Sequence, residues 1–268
     1  MRAIAWIAVN VFRESVRDKV LYNLVAFATL LIAVSYLLGQ LTAGQDVKII
    51  KDLGLAAIAT FGLLIAVFIG IGLVWKEVER RSIYSLLSKP IRRYEFILGK
   101  YAGLALTLFV NVAIMAVAFY GVLAYMNTQF AESVRVTWPA PATDVGILLA
   151  IALIFLELLL VTAIALFFST FSSPFLSAAL TFGLWVIGHF NADLRNFETV
   201  VESRTAAYVA RGLYYLLPNF AAFDIKTQVV HALPVPGSYV ATTAAYAMCY
   251  IALLLAAAVV IFSRRDFK

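Results

Sequence analysis

The sequence is short of charge. Asp, Glu, Lys and Arg make up 13% of its 268 residues, about half the share of an ordinary soluble domain. So few charges cannot coat a water-soluble fold of this size. The chain has a single cysteine, Cys249, inside an apolar run, so no disulfide framework or thiolate metal site can be assembled from it. Only two histidines occur, His189 and His231, without the spacing of metal ligands. No Ser-His-Asp set, paired carboxylates or metal cluster stands out, so no catalytic residue and no metal site is assigned. Gly-x-x-x-x-Gly-Lys-Ser/Thr is also missing, and with it a phosphate-binding loop. The first residues do not read as a secretory signal, because Arg13, Glu14, Arg17 and Lys19 break the apolar pattern.

What is abundant is apolar: 63% of residues are hydrophobic, and the mean hydropathy is +0.94. The apolar residues fall in long runs, each near the roughly 20 residues that carry a helix across a hydrocarbon core about 30 Å thick. The runs predict an all-α polytopic membrane protein with six transmembrane helices: about Leu21–Leu41, Leu53–Trp75, Tyr101–Tyr125, Val145–Phe168, Phe175–Phe190 and Tyr239–Phe262. Tyr and Trp recur near their ends (Trp6, Tyr22, Trp75, Tyr101, Tyr125, Trp138 and Tyr239), where amphipathic rings favour head-group depth.

Residues 1–19 differ from the rest. On a helical wheel Ile4, Ala5, Ala8, Val11, Phe12 and Val16 share one face, and Asn10, Arg13, Glu14, Arg17 and Asp18 the other. That pattern predicts an amphipathic helix lying in the membrane interface, apolar side toward the acyl chains. Residues 20–268 form the six-span domain. Its longest link, 191–238, is expected to be an extracytoplasmic cap, with a helix over about Glu202–Leu217 stopped by Pro218 and a turn at Pro234–Gly237.

The basic residues are lopsided. With six spans, the termini and the 76–100 link carry fourteen Lys and Arg, and the opposite side seven. Positive residues near span ends favour the cytoplasm, so both termini are expected there. The net charge of +6 therefore reads as membrane orientation, and nucleic-acid binding is not expected.

Two places carry unusual chemistry. Glu157 lies near the middle of the fourth span. A carboxylate at that depth must face a bundle interior or cavity and find a partner. No basic residue lies inside another predicted span, which favours a protonated Glu157, a polar partner such as Thr162 of another chain copy, or a water-filled cleft. The residue reads as structural, with a pathway or gating role as the alternative. The second place is Lys76–Lys100, with seven basic residues against Glu77, Glu79 and Glu95, and with Pro90 breaking or starting a helix.

Lys76-Glu-Val-Glu-Arg-Arg-Ser-Ile-Tyr-Ser-Leu-Leu-Ser-Lys-Pro-Ile-Arg-Arg-Tyr-Glu-Phe-Ile-Leu-Gly-Lys100 resembles the loop after the second span of ABC-2-type transporter permeases: a glutamate, then LLS-x-P-x-x-R-x-E, then GK. The matching positions are Glu77 or Glu79, Leu86, Leu87, Ser88, Pro90, Arg93, Glu95, Gly99 and Lys100. An amphipathic N-terminal helix, six spans and the Phe262-Ser-Arg-Arg-Asp-Phe267 ending are similar to the family too. The long final outside loop and Leu217-Pro-Asn-Phe220 look most similar to the NosY-like group, associated with copper-enzyme maturation. No copper site is assigned on that account.

The resemblance implies the membrane half of an ABC transporter in the cell inner membrane, multi-pass, and an exporter. The chain itself would bind no cofactor. ATP and Mg would sit on a separate ABC ATPase subunit, and the chain would pair with a second permease copy, as a homodimer, or with a related permease. The 76–100 link would be the coupling loop, with Leu86 and Leu87 filling an apolar socket on the ATPase. Glu77, Glu79, Arg80 and Arg81 would set charge register, with Tyr84, Pro90, Arg93 and Glu95 completing the contact. Read without the resemblance, the same link anchors to anionic lipid head groups. Two other functions compete: a non-transporting module that acts on an extracytoplasmic partner through the cap, and a secondary transporter driven by an ion gradient.

Overall fold

The computed structural model describes residues 2–40, 46–79, 92–130, 132–135, 138, 141–191 and 204–264, with side chains of the second long helix described as far as Ile71. In chain order the helices are α1 (Arg2–Ser15), α2 (Lys19–Gln40), α3 (Asp46–Glu79), α4 (Arg93–Gln129), α5 (Glu132–Arg135), α6 (Val145–Ser169), α7 (Pro174–His189), α8 (Arg204–Leu216), α9 (Lys226–Val230) and α10 (Gly237–Arg264). A short 3-10 turn spans Ala221–Phe223. Among the described residues there is no strand, and the fold is all-α as expected.

Among the described residues, five helices, α2, α3, α4, α6 and α10, are long and apolar enough to cross a membrane. The expected fifth span corresponds to α7, which has 16 residues and reaches only about 24 Å, short of a hydrocarbon core of about 30 Å. α3 and α6 are the most buried spans and form the centre, while α2 and α10 lie outermost. α6 carries buried residues from Ile147 to Ser169 and is buried all round from Val161 to Leu166, as a helix without a polar side tends to be. The outward faces are apolar: Phe27, Leu37, Phe68, Val117 and Phe175 are all more than half exposed. Water would not tolerate such a belt, and lipid tails solvate it.

Lys48, Lys51 and Asp52, which fall between the expected spans Leu21–Leu41 and Leu53–Trp75, lie in the first turns of α3. Lys51 is fully buried, and its ammonium donates to the carbonyl of Pro141 at 2.8 Å. Asp144, the N-cap of α6, accepts from Gly146 N–H and places its charge near Lys51. A buried ammonium with a carbonyl acceptor and a nearby carboxylate is far cheaper than an unpartnered one. The helix therefore continues through charges that hydropathy alone assigns to a loop.

α1 also departs from expectation. Part of its apolar face meets protein: α1 packs on the first half of α4 more extensively than any other helix pair. Two glycines of α4 permit this. A Cβ at Gly99 would stand 2.7 Å from Ile7 Cβ, and one at Gly103 2.6 Å from the Ala8 carbonyl oxygen. Val11 fills the notch and is buried, whereas Trp6 and Val9 remain exposed.

Residues 218–230 of the expected cap are seated in the bundle. α6 and α7 run antiparallel across the short Thr170–Ser173 turn, where Ser173 caps α7 and Pro174 occupies its first turn. Because α7 has 16 residues and α6 has 25, α7 stops beside the middle of α6. The remaining space is filled by 218–230. Phe220 N–H donates to the Gly188 carbonyl at 3.0 Å, and a Cβ at Gly188 would collide with the Pro218 carbonyl at 2.5 Å. Phe220, Phe223, Ile225 and Val229 are buried, with Val229 against the first turn of α6 at Gly146. On the α10 side, Tyr246 Oη accepts from Asn219 N–H and Tyr239 Oη donates to the Ala222 carbonyl, each at 2.8 Å.

Gly103→Leu should drive α1 off α4 and cost about 1–3 kcal/mol, the usual penalty of overpacking. Thermal unfolding of the detergent-solubilised chain measures it. Gly121→Ala, where an added Cβ meets nothing within 4 Å, should not lower the transition.

Candidate functional site

At the mouth of the 76–100 link, α4 begins at Arg93. Glu95 Oε2 accepts from the Arg92 N–H at 3.1 Å, which satisfies an amide left free at the helix start and puts negative charge beside the positive end of the helix dipole. Arg93 reaches across to the end of α10: its Nη1 donates to the Phe262 carbonyl at 3.2 Å and to the Ser263 carbonyl. These carbonyls belong to the last turn of α10, where a cation is favoured. Phe96 stacks on Phe262 with ring centroids 5.5 Å apart, and buried Lys100 sits 4.8 Å above the Phe96 ring. The start of α4 is thereby joined to α10 by charge-assisted hydrogen bonds and ring stacking, and to α1 at the glycine notch. Glu77 and Glu79 fall on the last helical residues of α3, but their side chains, and Arg80, Arg81, Tyr84, Leu86, Leu87 and Pro90 altogether, lie outside the described residues.

The second site centres on Glu157, which is 7% exposed. Its partner comes from α7 of the same chain: Trp185 Nε1–H donates to Oε1 at 2.8 Å. His189, one turn further along α7, places Nε2 3.7 Å from the same oxygen. Its Nδ1 lies 3.0 Å from the Trp185 carbonyl. The imidazole is held between the Trp185 ring, at 4.4 Å, and the Phe220 ring, at 5.8 Å and 16°. Asp224 and Lys226, 3.5 Å apart and partly exposed, lie within electrostatic reach of Glu157. Thr162 points elsewhere and donates to its own helix at the Leu158 carbonyl, 2.8 Å away.

In the sequence Glu157 stands out, whereas Trp185 does not and His189 reads as an ordinary polar residue. The readable signal was there: Trp185 and His189 are four apart on one helix and so share a face. Among the described residues, no group of three or more His, Cys, Asp and Glu side chains stands where it could hold a metal. Met115 and Met126 are buried in α4, whereas Met248 on α10 is exposed.

A multi-pass bundle with a basic link between its second and third long helices has the form of a transporter's membrane domain. A family model described as "ABC-2 family transporter protein" matches residues 5–267, and the chain belongs to the ABC-2 transporter family. A search of curated proteins gives no match.

Arg93→Ala should free the last turn of α10 at a cost of about 1–3 kcal/mol, the range for losing charge-assisted hydrogen bonds. Faster amide exchange confined to residues near 258–264 would report the loss.

Proposed function

We propose that this chain is the membrane-spanning permease subunit of an ATP-binding cassette exporter, driven by a separate ATPase that docks on residues 76–100. The observation that carries the reading is the Lys76–Lys100 motif at the junction of α3 and α4, in a chain that matches the family along nearly its whole length. An ATPase that closes on ATP moves a membrane helix only through a stiff contact. The Arg93 bonds to α10 and the α1 packing at Gly99 and Gly103 supply stiffness on the α4 side of the link.

In this reading Leu86 and Leu87 carry most of the docking affinity, because buried apolar anchors dominate interfaces and partly exposed ion pairs contribute only ~0.2–1 kcal/mol each. Glu77, Glu79, Arg80 and Arg81 set register. α7, extended outward by the seated 218–230 segment, completes a sixth crossing, so both termini and the coupling loop face the cytoplasm and 191–238 faces out. The assembly is two permease chains with two ATPase chains in the inner cell membrane, and ATP and Mg bind the ATPase.

A second reading has one observation in its favour: the cap is anchored deep in the bundle through Phe220 and Phe223. Motion of α6 and α7 would then act on an extracytoplasmic partner without moving any cargo. Flux into liposomes by the intact complex supports the exporter. Its absence, with loss of the partner's activity when the cap is altered, supports the second reading.

Affinity purification of the full chain should bring down an ABC ATPase subunit. Leu86→Asp with Leu87→Asp should lower its recovery at least tenfold and uncouple ATP turnover, while the variant still inserts in the membrane. Undiminished recovery and coupling would remove the docking role from these residues.

A further inference from the structure

The Glu157 site has the geometry of a shared proton. His189 Nδ1 faces the Trp185 carbonyl at 3.0 Å. A carbonyl only accepts, so Nδ1 carries a hydrogen. Nε2 then faces Glu157 Oε1 at 3.7 Å, and that oxygen already accepts from the Trp185 indole N–H. A bare imidazole lone pair beside a bare carboxylate would be repulsive in a site this buried. One proton therefore lies on Nε2, as imidazolium beside carboxylate, or on the carboxyl beside neutral imidazole. Either way the pair shares one proton and is neutral as a unit.

Among the described residues, the other groups near the site are engaged with partners of their own, and Lys226 and Asp224 reach Glu157 only electrostatically. α3 carries no titratable side chain between Leu53 and Ile71. From α4, Tyr101 and Tyr120 donate to the carbonyls of Leu159 and Asp144. From α10, Tyr246 Oη accepts from Asn219 N–H, and its ring packs against Tyr250 at 4.9 Å. Lys226 pairs with Asp224 at 3.5 Å. His231 on the outer side is bound to the Thr227 carbonyl and exposed.

The same imidazole is a packing surface for the cap, because Phe220 lies flat on it and Phe220 N–H closes on the Gly188 carbonyl next to it. Glu157 has a side chain 9% exposed, whereas His189 beside it is 27% exposed. We infer that Glu157 and His189 form a proton-binding site that latches the 218–231 segment onto α6 and α7. Bound proton keeps the latch shut. Its release to outside water leaves one unbalanced buried carboxylate, which must hydrate, and the segment lifts. The latch holds below the titration of the pair and opens as pH rises through it. This inference concerns the chain alone and does not depend on the ATPase reading.

Trp185 reports on the site directly, since protonated imidazole in ring contact quenches indole emission. The full chain, with Trp6, Trp75 and Trp138 changed to Phe, is reconstituted in lipid nanodiscs. As pH is raised from about 5 to about 9, the interval that spans ordinary imidazole titration, Trp185 emission should rise through a single transition. H189Q should abolish the transition, and E157Q, which removes the carboxylate partner, should displace it. Amide exchange of 218–231, corrected for its intrinsic pH dependence, should accelerate several-fold across the same transition. Flat emission together with pH-independent exchange at 218–231 in the parent protein, or the same transition in H189Q, would overturn the site. A clear transition with no change in exchange at 218–231 would overturn the latch.

Discussion

Helices dissolved in hydrocarbon gain little by hiding apolar side chains from one another, because lipid tails are as good a solvent for Leu as another Leu is. What holds such a bundle is close backbone approach and the pairing of every polar group that enters it. The joints of this protein follow from that constraint. α1 is held to α4 where Gly99 and Gly103 let backbones nearly touch. α3 is held to the α5–α6 link by a buried ammonium on a carbonyl. α6 is held to α7 by an indole on a carboxylate. The Phe220 turn is held to α7 by one backbone hydrogen bond beside Gly188. None of these is a large apolar contact, yet each fixes where the large apolar surfaces meet.

The same constraint explains what could be read from the sequence and what could not. Lipid solvation leaves its mark on every span residue, so α2, α6 and α10 stand within a few residues of the expected Leu21–Leu41, Val145–Phe168 and Tyr239–Phe262. A single pairing event leaves no such periodic mark. Lys51 looks like loop because nothing nearby in sequence announces Pro141, ninety residues away. α7 looks like a full crossing because the segment that completes its height, 218–230, comes after α8. Its Phe220, Phe223 and Val229 read as an ordinary mixed loop until they are seen against α6 and α10.

The polar sites divide along the same line. Glu157 was conspicuous because a carboxylate in an apolar run is costly wherever it points, but the identity of its partner was a question of helix pairing. The face of α1 is a related case. Amphipathicity shows that Ile4, Ala8 and Val11 avoid water, and it is silent on whether they meet lipid or a neighbouring helix. The glycines on α4 decide that, and their meaning depends on knowing which helix lies opposite. Glu95, placed in the coupling motif by resemblance, has a local function that any helix start would welcome, since it caps the Arg92 amide.

α4 has 37 residues in one unbroken helix, about 55 Å of rod in a slab about 30 Å thick. Such a rod behaves as a lever with its fulcrum in the hydrocarbon. One arm ends at the Arg93 and Phe96 contacts with α10; the other carries Tyr125, edge-on to Tyr36 of α2 at 5.4 Å, past Tyr120, whose hydroxyl reaches the N-cap of α6. Any tilt of the rod that shifted the first arm would therefore be felt at the second, against the Tyr36 ring of α2 and the Asp144 carbonyl at the start of α6.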